Sequence, residues 1–351
     1  FIGFYKTDTN ITTMTTDIIY IVSRLKSGGP TNQLYSIIKH LEDQYNPVIL
    51  TLSPEPDDTE VPRFHELGVK YETLGLSRFN GLIYGSKKIQ EVVNRYDPDI
   101  IQTQGIRADT LSALFLSKYP RVTTIRNYPY DDYPSKFGSI QGKLMASEHL
   151  WVYRRIDYPV ACSKTIADMV APHGIDAVPI QNGVDMDKYE PVDSDKKHEL
   201  RDEFNISPSS TVFISTGKLI PRKNPLDVIK GFQTADIEDS LLLMLGDGDL
   251  ERKCKKMANG DDRIRFEGWV DDVKSYLQLS DYFISASSSE GLPNTVMESL
   301  AVGLPVCLSD ISPHEEILQY HSDAGTLFEL NNIHSLSENI QRISGGSYLR
   351  R

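Results

Sequence analysis

Short apolar runs alternate with stretches of helical periodicity along nearly the whole chain. "IIYIV" (18–22) reads as a strand buried on both faces. The "PTNQLYSIIKHL" that follows puts Leu34, Ile37, Ile38 and Leu41 on one helical face. The rhythm continues through "NPVILTL", "VKYETL", a helix near 81–95, "PDIIQT", a helix from Arg107 and "RVTTI". It then runs through a long helix within 139–156, "YPVACS" and "AVPIQN". Residues 183–209 break it with a polar, charged, proline-containing stretch that reads as a linker and a short helix. Alternation then restarts with "TVFIST", a helix from Asn224, "SLLLML", a helix near 250–258 and "RIRFEG". A short helix, "DYFISA", a helix from Pro293 and "PVCLS" complete it. Repeated β-α units predict parallel sheets with helices on both faces. The pattern therefore predicts two doubly wound α/β domains, 1–182 and 183–351, facing a central cleft. In such sheets ligands lie beyond the carboxyl ends of the strands, so the residues following each strand carry the functional information.

Composition narrows the partners. The net charge of −12 argues against nucleic acid. The charge is uneven: 1–182 holds 19 Lys+Arg against 20 Asp+Glu, whereas 183–351 holds 18 against 29. Two lobes with different tasks fit that asymmetry, and only the first is neutral enough to approach an anionic surface. Cys162, Cys254 and Cys307 are too far apart for a disulfide framework or a zinc site, which favours a reducing cytoplasm. No apolar run approaches the roughly 18 residues that span a bilayer. The opening "FIGFYKTDTNITTMTT" reads as an irregular lead-in rather than a secretory leader.

The chemistry sits after the strands. Gly28 and Gly29, with Pro30 at the start of the next helix, form either an anion-binding turn or a plain tight turn. They match neither a dinucleotide fingerprint nor a G-K-[ST] loop. "GKLIPRKNP" groups Lys218, Arg222 and Lys223 in the acidic half of the chain, which suits a phosphate or diphosphate; a solvated basic loop is the plainer alternative. "GDGDL" reads as a plain turn, with a phosphate-binding turn as the alternative, and Trp269 in "WVDD" either stacks on a base or packs. "SEGLPNTVMESLAVGLP" places Glu290 in a loop and Glu298 about a turn inside the helix begun by Pro293. The unpaired N–H groups of that helix start carry partial positive charge. Carboxylates there suit paired sugar hydroxyls; a loop charge and an ordinary early-helix acid are the alternatives.

These segments, taken together and in order, resemble the family 4 glycosyltransferases of the GT-B fold over about residues 17–343. "EGLPNTVMESLAVGLPV" is similar to the family's E-x7-E segment. "STGKLIPRKNP" is similar to its G-R-L-x-x-x-K segment, with Lys218 at the usual Arg and Lys223 at the usual Lys. "IQNGVDMDKYEP" is similar to its N-G-V-D-x-x-x-F segment, and "SGGPTNQ" to its first glycine loop. The resemblance implies that Glu298 binds the ribose. It implies that Glu290, with the backbone of Gly291, Leu292, Pro293, Asn294 and Thr295, holds the donor sugar. Lys218, Lys223 and Arg222 would neutralise the departing diphosphate, Gly29 would pack against it, and Trp269 and Val270 would line the base site within 266–270. Family members often carry His where this chain has Gln102, Gln104 and Arg126. Arg126 can hydrogen-bond a sugar or phosphate but is no base near neutral pH.

The function implied is retaining sugar transfer from a nucleotide-diphosphate donor, UDP-sugar favoured and GDP-sugar allowed, to a glycan or lipid-linked acceptor. "RNYPYDDYP" resembles members that build bacterial surface polysaccharides. No cofactor beyond the nucleotide-sugar co-substrate is expected. No metal is expected either, although "DMD" and "DGD" match the Asp-x-Asp string of metal-dependent transferases. A two-domain nucleotide-sugar epimerase and a non-catalytic sugar-nucleotide-binding subunit are the alternatives. The helix in "GSIQGKLMASEHLWVYRR" carries Ile140, Leu144, Met145, Trp151 and Val152 with Lys143, Arg154 and Arg155. It reads either as a buried domain helix or as a peripheral membrane contact on the cytoplasmic face. The tail "ISGGSYLRR" ends sooner than the closing helix usual in the family.

Overall fold

The structure is a computed structural model and describes residues 15–345. The tail at 346–351 and all but the end of the lead-in lie outside the described residues. The first part alternates β1 (Thr16–Val22), α1 (Gly29–Lys39), β2 (Tyr45–Thr51), α2 (Val61–Glu66), β3 (Lys70–Thr73), α3 (Arg78–Tyr96) and β4 (Ile100–Gln104). It goes on with α4 (Ile106–Phe115), β5 (Arg121–Ile125), α5 (Pro129–Phe137), α6 (Ser139–Tyr153), β6 (Tyr158–Ala161), α7 (Lys164–Val170) and β7 (Val178–Pro179). After the linker come α8 (Ser194–Glu203), β8 (Thr211–Thr216), α9 (Pro225–Ala235), β9 (Ser240–Leu245), α10 (Glu251–Met257) and β10 (Ile264–Gly268). The chain then forms α11 (Val273–Leu279), β11 (Tyr282–Ser285), α12 (Asn294–Ala301), β12 (Val306–Ser309), α13 (Ser312–Leu318), β13 (Gly325–Phe328) and α14 (Ile333–Ser344).

The strands form a seven-stranded sheet ordered β3-β2-β1-β4-β5-β6-β7 and a six-stranded sheet ordered β10-β9-β8-β11-β12-β13. The strand pairs β1–β2, β1–β4, β8–β9 and β8–β11 are all parallel. By Cα packing, among the described residues, one compact unit holds those up to 125 with 148–160 and 173–178. The other holds 126–147, 161–172 and 179 onward. Both sheets are covered on both faces, which is why central strands such as β1, β8, β9 and β11 read as largely apolar runs. On β8 and β9, Phe213, Leu242 and Met244 face a core with α9 and α14 residues, while Val212, Ile214, Leu243 and Leu245 face another with α11 and α12 residues. In the first sheet Ile19, Ile21 and Leu50 face one core and Ile18, Tyr20 and Ile49 the opposite one.

Several elements depart from the sequence pattern. Thr16, expected in the lead-in, already belongs to β1. Leu34 and Ile38 are buried as expected on α1, but Ile37 is exposed at its edge. The strand expected over "AVPIQN" shrinks to two residues, Val178–Pro179, at the sheet edge, although Ile180 N–H and Asn182 N–H still donate to Ala161 O (2.9 Å) and Cys162 O (3.3 Å). α5, with Pro134 inside it, and the terminal pair β13 and α14 were not foreseen. Strand order reverses between β1 and β4, and again between β8 and β11. At such a reversal the loops leaving the two strands diverge and leave room for a ligand. In the second sheet those two loops are the basic segment after β8 and the glutamate segment after β11.

Candidate functional site

The loop after β8 is braced by the loop after β9. "GDGDL", after β9, packs backbone to backbone against it: a Cβ on Gly246 would overlap the carbonyl of Gly217, and one on Gly248 would overlap the backbone of Leu219. Both glycines also have positive φ. Leu219 N–H donates to Asp247 O (2.7 Å), and Leu250 N–H donates to Leu219 O (2.8 Å). So "GDGDL" is a buttress for the basic loop. Pro221–Lys223 then make one tight helical turn, and Asn224 in the left-handed region turns the chain into α9.

That turn delivers Arg222 and Lys223 to Glu290. Lys223 Nζ donates to Glu290 Oε1, and Arg222 Nη1 donates to Glu290 Oε2 (3.1 Å) and to the Ser289 carbonyl. Ser288 N–H donates back to Arg222 O (2.8 Å). Glu290 is only 7% exposed. Burial pushes its carboxyl up, but the charges of Lys223 and Arg222 and hydrogen bonds from Lys223 and Ser287 outweigh it, leaving the pKa at about 2. Beneath the loop, Ser309 Oγ donates to Ser287 O (2.6 Å), and His314 Nδ1 lies 2.9 Å from Ser309 O. Since that carbonyl only accepts, Nδ1 carries the proton. Burial pushes His314 down to about 4 despite the nearby Glu290 charge. Arg222 Nε, Thr216 Oγ1, Asn224 Nδ2 and His314 Nε2 are buried without a hydrogen-bond partner.

Glu298, the fifth residue of α12, has a different setting. It is half-buried, and the Tyr189 hydroxyl hydrogen-bonds to it. Burial raises its carboxyl above the ordinary value, opposed by the Lys188 charge and the Tyr189 hydrogen bond. The start of α12 is tied to the N-G-V-D segment: Asn182 Nδ2 donates to Asn294 Oδ1 (3.2 Å) and to Leu292 O (3.4 Å). Gly291 allows the closest approach, since a Cβ there would overlap the Arg126 carbonyl and crowd Cys162 Sγ. That thiol donates to Arg126 O (3.3 Å). Burial lowers the Arg126 guanidinium to about 10, so it stays charged near neutral pH.

Glu290, Arg222 and Lys223 are thus brought together, with Gly291 to Thr295 leading directly into α12. Lys218 is exposed and stands outside these ion pairs. Trp269 is 54% exposed, and Val270 packs on the core under α11 and α12. Gly29 opens α1 in the other compact unit, behind Gly28 at φ +151. Tyr189, Ser287 and His314 escaped the sequence reading. Tyr189 had a signal: it occupies the Phe place of N-G-V-D-x-x-x-F, and a buried added hydroxyl needs a partner. His314 and Ser287 had none, since only folding carries α13 beneath the loop.

Comparison with known proteins gives a consistent picture. A family model described as "Glycosyltransferase Family 4" matches residues 27–188, and one described as "Glycosyl transferases group 1" matches 196–350. The chain is 31% identical over 189 residues to an Escherichia coli UDP-Gal:alpha-D-GlcNAc-diphosphoundecaprenol alpha-1,3-galactosyltransferase. That alignment covers 51% of this chain and 48%, about half, of the relative. It is 28% identical over 315 residues to the E. coli O-antigen biosynthesis glycosyltransferase WclY, covering 84% of this chain and 80% of that protein. Among solved structures, Anabaena HepE with UDP superposes with a TM-score of 0.75 at 16% identity, covering 95% of this chain and 96% of that one. Sucrose-phosphate synthase from Thermosynechococcus elongatus gives 0.78 at 16%, covering 94% and 90%.

Proposed function

The chain belongs to the family 4 glycosyltransferases and has their GT-B fold, and from that premise we propose that it is a retaining hexosyltransferase of surface-polysaccharide or glycolipid assembly. Its donor is a nucleotide-diphosphate sugar, UDP-sugar before GDP-sugar, in keeping with the UDP-bound structural neighbour and the UDP-Gal-using relative. Its acceptor is a glycan or a lipid-linked sugar, the latter being the kind named for that relative. The domain division at 182/183 belongs to the same reading.

The observation that carries it is the cluster after β8 and β11. Two cations share one buried carboxylate, while Arg222 Nε, Thr216 Oγ1 and Asn224 Nδ2 have nothing to bond to. A diphosphate brings several acceptor oxygens to such a set. In the proposed step the bond from the sugar's anomeric carbon to the diphosphate oxygen breaks. The acceptor oxygen bonds to that carbon from the same face, and its proton passes to the departing diphosphate. Lys223, Arg222 and Lys218, rather than a divalent cation, meet the growing negative charge. Glu290 and the N–H groups of 291–295 hold the sugar, Glu298 the ribose, and Trp269 with Val270 the base. Arg126 hydrogen-bonds sugar or phosphate, and Gly29 is assigned to the diphosphate on resemblance alone. A lipid-linked acceptor places this cytoplasmic chemistry at a membrane surface, which the chain meets peripherally.

Thermal shift with UDP-, GDP- and ADP-sugars tests the donor, because a ligand of the native state raises the melting temperature. UDP-sugars are expected to give the largest rise. Glu298→Ala should weaken UDP binding about tenfold, at the upper end of one hydrogen bond, and Lys223→Ala should lower turnover about 100-fold or more. Full transfer activity in both variants would rule out the site assignment. Conversion of UDP-sugar without any acceptor would point to an epimerase instead.

A further inference from the structure

α5 and α6 form a hairpin that turns at Gly138. They meet backbone to backbone, since a Cβ on Gly142 would overlap the backbone of Tyr133 and Pro134. The inward face of α6 is Gly142, Ala146, His149, Leu150 and Tyr153, all buried. Its first two turns are therefore filled inside by the two smallest side chains. The bulk points the other way: Ile140 is 81% exposed and Leu144 68%. Trp151 follows on the same outward face, eleven residues or about three turns from Ile140. A helix that serves only a core carries its large apolar residues inward; this stretch of α6 reverses that rule. Of the two sequence-level readings of this helix, burial therefore holds for its inner side only.

The charges around the exposed bulk are predominantly basic. Residues 136–155 carry Lys136, Lys143, Arg154 and Arg155 against a single Glu148, in a chain whose net charge is −12. Lys143 is exposed beside Leu144 in sequence, Lys136 is held by Asp132 (2.7 Å), and the Arg155 guanidinium lies 3.4 Å over the Trp151 ring. Exposed apolar side chains flanked by basic ones match the chemistry of an anionic bilayer interface: acyl chains below, phosphate above. Among the described residues no helix is long and apolar enough to cross a membrane, so such contact would be interfacial.

We propose that the outward face of α6, centred on Ile140, Lys143 and Leu144, docks on an anionic phospholipid surface. Apolar insertion supplies part of the affinity, and each basic residue near the surface adds about fivefold.

Co-flotation of the full chain with vesicles, in the absence of nucleotide sugar, tests this without depending on the transfer reaction. The chain should float with mixed phosphatidylcholine–phosphatidylglycerol vesicles and stay behind with phosphatidylcholine alone. Ile140→Ser with Leu144→Ser should cut binding about tenfold or more, and Lys143→Gln about fivefold with a weaker salt dependence. Both substitutions lie at exposed positions, and an unchanged melting temperature would confirm folding. A parent chain that ignores phosphatidylglycerol, or a double variant that floats like the parent, overturns the proposal. So does concentration-dependent self-association of the parent that the double variant loses, because the face would then be an interface between copies of the chain.

Discussion

Glu290 and Glu298 lie eight positions apart in one continuous segment, yet their surroundings push their carboxyls in opposite directions. Glu290 is set in a loop between Lys223 and Arg222, and burial is overcome by two cations. Glu298 sits on α12 against a tyrosine hydroxyl with one weaker lysine influence, and burial wins. Position in the fold, not residue type, decides the protonation chemistry. A loop at the strand reversal can receive side chains from the neighbouring loop on its other side. A residue a turn inside a helix receives only what packs against that one face. Glu290 is therefore held as a permanent anion that arranges the cations, and Glu298 as a polar group whose chief asset is its hydrogen-bonding oxygens.

The largest effect should come from Glu290→Gln. It leaves Lys223 and Arg222 without their shared counter-charge, and breaking a buried pair on one side costs about 3–5 kcal/mol. Urea unfolding at pH 7 should show that loss in the midpoint with an unchanged slope. Wild-type stability in that variant would break the comparison, since the ion pairs would then be incidental. A second effect, of about 3 kcal/mol, should appear on acidification. His314 is buried neutral with its value lowered to about 4. The unfolded chain takes up that proton first, below about 6.5. Stability is therefore whole above that value and falls as pH drops toward 4. The Glu290 contribution is lost later, as pH falls from the ordinary carboxylate range through about 2. Unfolding measured at pH 7 and pH 5 should show the first stage alone, and His314→Gln should flatten it. A flat parent profile between those values would show that His314 titrates normally.

Much of this was legible in the chain. Strands buried on both faces have to be continuous apolar runs, so "TVFIST", "SLLLML" and "DYFISA" announced themselves, and with them the loops that follow. The pairing of Arg222 and Lys223 with Glu290 was not legible, because 67 residues separate Lys223 from Glu290 and only the adjacency of β8 and β11 closes that gap. "GDGDL" looked like a turn with a choice of jobs; its glycines are explained by backbone contacts that no periodicity reports. α6 was ambiguous for a related reason. Its apolar residues were visible in sequence, but which side faced inward depended on Gly142 meeting α5. β13 was hidden because "GTLF" is too short to stand out from a loop.

The smallest predicted effect sharpens the comparison best, because its sign differs. Burial raises the Glu298 carboxyl, so the ionised form is less favourable in the folded chain than in the unfolded one. Such a group costs stability at neutral pH, and the cost fades as pH falls and the folded form takes up its proton. Glu298→Gln removes the charge and keeps an oxygen for the Tyr189 hydroxyl. The variant should be as stable as the parent or more so at pH 7, by about 1 kcal/mol at most, and the two should converge in acid. UDP affinity should nevertheless fall about fivefold, because an amide oxygen is a weaker acceptor for hydroxyls than a carboxylate. In melting curves run side by side at pH 7, Glu290→Gln should therefore fall below the parent and Glu298→Gln should match or exceed it. Two shifts of the same sign would mean that the segment's two acids share one environment and that Lys223 and Arg222 do not set Glu290 apart.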